Sequence, residues 1–286
     1  MRYRVVVTAA AAGVAGVALG ILMAGEPVSG QVSPAYRATR SIYGDGTPDL
    51  NGIWQVLNTA NYDLEDHPMA PGPMWQLGAL GAVIPGTSVV EGGTIPYLPA
   101  ARARKKDLFE KRIAADPFKR DQADPEVKCY MTGVPRSTYM PQPLQIVQTP
   151  RYVLIAYQYA NANRIVRMKE HSEAPVDSWM GWSNGRWEGE TLVIDTEGFY
   201  AESWLDRAGN FASKNLKVTE RITPIDATHL DYEATLTDPT VYSRPWKIRM
   251  PLYKRIEKDA QLLEFRCVEL SEEAIYGALT KKPSTN

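Results

Sequence analysis

Apolar and polar residues alternate along several stretches of the chain, in the pattern that is typical of β-strands with one buried face. The alternation is clearest at residues 230–237, where Leu230, Tyr232, Ala234 and Leu236 are separated by acidic residues or threonine. Short runs of this kind with turn residues between them predict an antiparallel meander that closes, or nearly closes, into a barrel. The other predicted strands are residues 49–57, 144–148, 152–159, 163–168, 191–196, 216–222, 246–250 and 262–268.

Helices and long loops complete the predicted fold. Residues 100–115 are mostly helix formers and lie between Pro99 and Pro117, which predicts one helix. Residues 271–279 predict a second, shorter helix. Residues 58–99 are dense in glycine and proline, and they predict a long loop that covers the barrel mouth or lies on the surface.

The first predicted strand carries a resemblance to a known fold. Its Gly52-x-Trp54 motif resembles the Gly-x-Trp that opens the first strand of lipocalin-like (calycin) barrels. In those barrels the tryptophan closes one end and packs under an arginine from a late strand. The resemblance implies this role for Trp54, with Arg255 or Arg266 as its partner, and the alternative is an ordinary core tryptophan. The predicted fold class is an all-β, lipocalin-like antiparallel β-barrel or meander with one or two short helices and long covering loops.

The N-terminus has the order of a secretory signal peptide. Arg2 and Arg4 precede an apolar run at residues 5–25, and Val28-Ser29-Gly30 fits a signal-peptidase site. The alternative is an uncleaved membrane anchor formed by residues 5–25. Either reading places the folded part outside the cytoplasm, as a periplasmic or secreted protein or as one anchored to the membrane. The predicted organisation is an export segment at residues 1–30, a linker at 31–48, a single barrel domain at 49–279 and a tail at 280–286.

Composition and charge narrow the classes of function. The chain has 32 basic and 33 acidic residues, a formal net charge of −1, and therefore offers no basic surface for a nucleic-acid partner. Its three histidines are far apart and its two cysteines complete no zinc set, so no metal site is expected. The sequence has no phosphate loop and no dinucleotide-binding fingerprint, so no cofactor is expected either. In an exported chain, Cys129 and Cys267 predict one disulfide, and the alternative is two separate buried thiols.

Residues 177–210 concentrate the candidate functional side chains. This stretch contains four of the seven tryptophans together with carboxylates and arginines. Large aromatic residues among charges indicate either the wall of a pocket or a polar network that ties strands together. The candidate catalytic residues are Asp195, Asp206 and Arg207, and the candidate ligand contacts are Trp179, Trp204, Tyr157 and Tyr232.

Acid–base chemistry is the reaction type that these residues favour. Asp195 ends an apolar strand, where burial would raise the pKa of its carboxyl group unless a partner compensates. We expect Arg207 to hold an acceptor group of an uncharged or anionic ligand of aromatic size, and Asp206 to orient Arg207 or to act as the base. The alternative is that Asp206 and Arg207 form salt bridges that close the end of the barrel.

Several blocks of the sequence resemble a large family of secreted bacterial proteins of obscure function. The most specific block, residues 185–196, begins Gly-Arg-Trp-Glu-Gly-Glu-Thr-Leu-Val. The resemblance implies export but brings no particular activity. The family pattern has histidines where this chain has Lys217 and Val268, so no role of those histidines is carried over. The other matching blocks are residues 95–97, 129–136, 216–221, 238–239 with 244–246, and 263–269.

Three functions remain open at this point. The primary prediction is an exported binding protein that holds an apolar or aromatic small molecule in its barrel. The second is an isomerase- or lyase-type enzyme that uses a carboxylate–arginine pair in the same cavity, without a cofactor. The third is a membrane-anchored accessory subunit of an envelope complex.

Overall fold

Nine strands, one α-helix and three short 3₁₀ helices make up the regular structure of the residues that the computed structural model describes, which are 36–70, 82–111, 124–200 and 203–269. The 3₁₀ helices cover Pro125–Lys128, Arg136–Tyr139 and Tyr159–Asn161. Helix α1 covers Pro99–Lys111 and begins with the predicted proline, because proline at the first helical position removes only an amide that has no partner there. The strands are β1 Gly52–Gln55, β2 Leu144–Gln148, β3 Tyr152–Tyr157, β4 Asn163–Arg167, β5 Trp182–Glu188, β6 Thr191–Glu197, β7 Lys217–Pro224, β8 His229–Thr237 and β9 Trp246–Lys254.

The strands form a closed barrel in sequence order, and β9 pairs with β1 to complete the ring. This confirms the predicted all-β, lipocalin-like barrel. Neighbouring strands are antiparallel with one exception, since β4 and β5 run parallel through two residue pairs, Val166 with Ser183 and Arg167 with Asn184. A parallel neighbour requires a crossover connection, and residues 168–181 supply it.

Alternation along the strands decides which side chains enter the barrel. On β8, Leu230, Tyr232, Ala234 and Leu236 are buried, whereas the residues between them are partly exposed, as the sequence pattern predicts. The turn between β5 and β6 has two residues, Gly189 and Glu190. Gly189 has φ +62°, a left-handed conformation that glycine adopts without steric cost.

One predicted strand is wrong. Residues 262–268 are described and form no strand; they lie beside the 3₁₀ turn that follows β3. The Gln158 side chain accepts from Leu263 N at 3.0 Å, and the Asn161 side chain donates to Phe265 O at 3.1 Å. Strand β9 extends further than predicted and pairs with β1, so the barrel closes without this segment. The predicted helix at residues 271–279 lies outside the described residues.

Trp54 is buried on β1, and the cation beside its ring is a lysine, whereas the calycin resemblance implies an arginine. The indole is buried and donates to Leu50 O at 3.0 Å, while Lys254 Nζ lies 5.4 Å from the ring centroid. A Cβ on Gly52 would come within 2.9 Å of Lys254 Cε, so glycine at this position lets the lysine side chain pack over the indole. The two predicted arginines pair instead with nearby glutamates, Arg255 with Glu257 and Arg266 with Glu264.

Candidate functional site

A polar cluster crosses the interior of the barrel, and each of its members comes from a different strand. Its centre is an ion pair between Arg164 on β4 and Glu220 on β7, with Nη1–Oε2 at 2.7 Å and Nη2–Oε1 at 2.9 Å. Alternation explains the placement, because Glu220 lies between the inward-facing Val218 and Ile222. We call this group the interior cluster; its members are Tyr157, Arg164, Ser183, Thr196, Glu220 and Tyr232.

Most polar atoms of the interior cluster have partners, but two do not. Tyr232 Oη donates to Glu220 Oε1 at 2.8 Å, and the hydroxyl groups of Ser183 and Thr196 lie 3.0 Å apart. Tyr157 Oη and Arg164 Nε are buried and have no hydrogen-bond partner. A buried polar group without a partner costs about 1–3 kcal/mol relative to its hydration in water. The hydrogen-bonding capacity of these two atoms is therefore not satisfied within the cluster.

Burial and charge set the protonation states in the interior cluster. Burial raises the pKa of Tyr157 above its ordinary value, and burial together with the negative charge of Glu220 raises the pKa of Tyr232 well above its ordinary value. Burial lowers the pKa of Arg164, but the charge and hydrogen bonds of Glu220, together with the nearby Tyr157 and Tyr232, raise it above its ordinary value. Both tyrosines thus remain hydrogen-bond donors at neutral pH, and Arg164 remains a cation.

A second buried polar cluster is formed by residues of the segments that connect the strands. Arg136, 1% exposed, donates to both oxygens of Asp124 at 2.8 Å and to Glu126 Oε2 at 2.6 Å. Its Nε donates to Asn61 Oδ1 at 2.9 Å. Arg207 completes this arrangement by binding Glu126 with two hydrogen bonds at 2.8 and 2.7 Å. We call these five residues the loop cluster.

Asp206 joins separate loops but does not contact Arg207 through its carboxylate. One oxygen accepts from the amides of Ala208 and Asn210 at 3.0 and 3.1 Å, and the other accepts from Leu64 N at 3.0 Å and from the Asn210 side chain at 2.6 Å. Burial raises the pKa of Asp206 to about 7, and the nearby charge of Asp63 adds to that effect. All four strong acceptor directions of this carboxylate are therefore used by the protein.

Glu126 is the carboxylate that Arg136 and Arg207 share. Although burial raises the pKa of Glu126, the charge of Arg136 and the hydrogen bond from Arg207 outweigh it and hold the pKa below its ordinary value. The hydrogen bond to Glu126 raises the pKa of Arg207 in turn. The loop cluster therefore stays ionised and holds together the segments around residues 61, 124–136 and 207.

The remaining candidates lie in different places. Trp204 is buried beside the loop cluster, and its carbonyl oxygen lies 3.4 Å from Arg136 Nη1. Trp179 is half-buried, stacks on Tyr130 with ring centroids 5.3 Å apart, and meets Tyr200 edge-on at 5.4 Å. Neither tryptophan lies on one of the nine strands, whereas every member of the interior cluster does.

Asp195 lies on the outer surface of the barrel. Its carboxylate pairs with Arg186 and accepts from the Thr219 hydroxyl at 2.7 Å, and its side chain is half exposed. Strand alternation is the reason, because Ile194 and Thr196 on either side are buried. The side chain is therefore exposed, whereas its place at the end of an apolar run suggests burial.

The structure thus divides the predicted site residues among several locations. Tyr157 and Tyr232 meet in the interior cluster, Asp206, Arg207 and Trp204 lie in or beside the loop cluster, and Asp195 and Trp179 join neither. Sequence reasoning did not find Arg164, Arg136 or Glu126. A signal for the first existed, because Arg164 shares its strand face with the apolar Val166. Arg136 and Glu126 lie in irregular segments, where no period identifies a buried charge.

Cys129 and Cys267 form the predicted disulfide, with their Cα atoms 5.6 Å apart. Such bonds are typical of oxidising compartments outside the cytoplasm. Among the described residues, no group of three or more histidine, cysteine, aspartate or glutamate side chains is placed to hold a metal ion. In the same part of the chain, no helix has the length and apolar character needed to cross a membrane.

Comparison with known proteins adds no identity to this geometry: no protein-family model matches the sequence, and no curated protein is significantly similar to it.

Proposed function

We propose that this protein is an exported binding protein that holds a small molecule inside its β-barrel, at the interior cluster. The observation that carries the proposal is the pair of buried atoms without partners, Tyr157 Oη and Arg164 Nε. Buried polar atoms in folded proteins nearly always have a hydrogen-bond partner, so two unpartnered atoms on neighbouring side chains favour a bound molecule between them. The closed barrel is compatible with the same function, because some barrels of about eight strands hold one small ligand, whereas others are filled by side chains.

A single ordered water molecule is the alternative occupant of the same place. Water satisfies buried polar groups in many proteins and carries no function of its own. The two occupants differ in mass and in exchange, because a ligand leaves a detectable mass difference in the intact complex. They also differ in selectivity, because only a ligand site binds some compounds more tightly than others of similar size.

Native mass spectrometry of the exported protein tests the proposal. We expect a retained small molecule that is lost on denaturation, and we expect Tyr157→Phe to reduce its occupancy because one of the two unpartnered groups is removed. Tyr152→Phe is the matched control, because Tyr152 lies on the same strand but is 41% exposed on the outer surface. A protein that carries no molecule, and that no compound of a fragment library stabilises, would contradict interior binding.

Export is the second part of the proposal, and the disulfide supports it. Residues 1–35 lie outside the described residues, so the support comes from the N-terminal sequence and this bond. Intact-mass analysis of the protein from the cell envelope should find an N-terminus near Gln31. A chain that begins at Met1 and sediments with membranes would instead support the anchored accessory subunit. Membership in the secreted family that the sequence resembles is part of the same proposal.

An acid–base enzyme is the second candidate, and the pKa of Asp206 near 7 is the observation in its favour. The geometry gives this candidate less support, because Asp206 is fully buried and all its acceptor directions serve backbone amides and Asn210. A substrate would have to displace one of those donors before Asp206 could take a proton from it. For this reason we favour binding at the interior cluster.

A further inference from the structure

We propose that the ligand of the interior cluster is an uncharged carbonyl compound whose oxygen accepts hydrogen bonds from Tyr157 Oη and Arg164 Nε. This inference rests on the proposed binding function and adds the chemical class of the molecule. It follows from three features of the cluster: its balanced charge, the kind of groups that remain unpartnered, and the apolar surface around them.

The charge of the cluster is already balanced before any ligand enters. Glu220 binds Arg164 through both oxygens at 2.7 and 2.9 Å, and neither side chain reaches solvent to a significant extent. A carboxylate ligand at Arg164 would therefore bring a second negative charge close to Glu220 in a buried environment, where charge repulsion is weakly screened. An uncharged ligand avoids both this repulsion and the cost of removing a carboxylate from water.

Both unpartnered groups have a hydrogen to donate, and the Tyr157 hydroxyl can also accept. Arg164 Nε carries a hydrogen and has no lone pair to offer, so it requires an acceptor. Tyr157 keeps its phenolic hydrogen, because burial raises its pKa. The guanidinium of Arg164 and the Thr138 hydroxyl are close enough to Tyr157 to lower its pKa against the larger effect of burial, but neither forms a hydrogen bond of good geometry with Oη. A carbonyl oxygen has two lone pairs and satisfies two donors at once.

The remainder of the ligand meets apolar side chains. Ile155 lies directly opposite Arg164 on the neighbouring strand, and Ile194 and Ala234 flank Glu220 on the strands to either side. All three residues are buried and face the interior. An apolar or aromatic body attached to the carbonyl group therefore fits this environment better than a polyhydroxylated one.

Benzamide and benzoate form a matched pair of probes, since they have the same size and differ mainly in charge. Isothermal titration calorimetry of the full mature chain should show that benzamide binds at least about tenfold more tightly than benzoate. Tyr157→Phe should weaken benzamide binding by about three- to tenfold, the usual effect of losing one hydrogen bond. Tyr152→Phe should leave it unchanged.

Glu220→Gln provides a second readout, because it removes the balancing carboxylate. The uncompensated Arg164 should then favour the anion, and the preference should shift toward benzoate by about tenfold or more. If this variant does not fold, the selectivity of the unmodified protein decides the question.

Benzoate that binds the unmodified protein as tightly as benzamide, and that Tyr157→Phe weakens, would overturn the uncharged ligand while interior binding stood. Binding of neither probe would overturn the carbonyl class, and interior binding would then depend on the molecule that native mass spectrometry detects.

Discussion

Arg164 and Glu220 face each other across the inside of the barrel and form two hydrogen bonds, at 2.7 and 2.9 Å. The two residues are 56 positions apart in sequence. A buried pair of this kind is favourable only as a pair, because each charge left alone retains its full cost of burial. The pair thus connects β4 to β7, and removal of either partner leaves the other as an unpaired buried charge.

Replacing Glu220 alone should therefore be severe. We expect Glu220→Ala to lower the free energy of unfolding by about 3–5 kcal/mol in urea titrations, because Arg164 becomes a buried charge without a counterion. Asp231→Ala is the control, since its partner Arg249 is largely exposed and the loss should be at most about 1 kcal/mol. A double replacement, Arg164→Met with Glu220→Leu, should be less harmful than Glu220→Ala, and an equal or greater loss would contradict this account.

The two interior tyrosines should respond differently to loss of the hydroxyl group. Tyr157→Phe should leave the unfolding free energy of the empty protein nearly unchanged or raise it, because the hydroxyl has no partner to lose. Tyr232→Phe should lower it by about 1.5–3 kcal/mol, because this hydroxyl donates to the charged Glu220. Thermal unfolding of ligand-free samples measures both, and similar losses in the two variants would argue against the assigned partners.

The arginines that share Glu126 form a natural comparison. Arg136 is buried and uses its planar fork on Asp124, whereas the side chain of Arg207 is 50% exposed. Arg136→Lys keeps the charge but loses the fork, and we expect a loss of about 3 kcal/mol in unfolding free energy. Arg207→Lys should cost at most about 1 kcal/mol, because solvent screens its ion pair. If the order of these losses is reversed in denaturant titrations, the loop cluster does not depend on burial as described.

Asp206 should make stability depend on pH near neutrality. Its pKa is about 7 in the folded state and 3.8 as the ordinary value, so the folded state binds more protons between these two values. Its contribution to stability is therefore greatest below about pH 4 and is lost as the pH rises through about 7. Asp206→Asn cannot titrate, so the stability of the unmodified protein relative to this variant should fall across that range. A pH-independent difference between the two unfolding curves would show that Asp206 keeps an ordinary pKa.

The disulfide closes a loop of 138 residues and should contribute strongly to stability. In the chain-entropy account, a loop of this length corresponds to about 4–5 kcal/mol. We expect the double variant Cys129→Ser with Cys267→Ser to unfold at a clearly lower temperature than the oxidised protein. Thiol labelling after denaturation without reductant should find no free cysteine, and two labelled thiols per chain would show that the bond does not form in the exported protein.

The strand pattern was predictable because alternation is a local property of the chain. Residues 230–237 show it in full, and the observed β8 begins only one residue earlier, at His229. The same kind of reasoning failed at residues 262–268. Their composition is typical of a strand, but β9 pairs with β1 and closes the barrel, so no strand edge is available for them to pair with. Local propensity is a weak guide wherever pairing partners decide the outcome.

The candidate site was less predictable than the fold. The aromatic density at residues 177–210 drew attention to Asp206 and Arg207, whose partners proved to be backbone amides, Asn210 and Glu126. Sequence neighbours with opposite charge suggest a pair, yet consecutive side chains rarely point to the same place. The interior cluster gave a weaker signal, since its members are spread singly over six strands.

The sequence by itself determined the all-β class, the inward faces of the long strands and the two cysteines available for a disulfide, because these depend on residue type and on a period of two. Only the tertiary structure decided that Arg164 meets Glu220, that Arg136 and Arg207 share Glu126, and that Tyr157 Oη lacks a partner. Closure of the barrel brings together side chains from distant strands, and their partners follow from register and strand order, which a local pattern of residues does not contain.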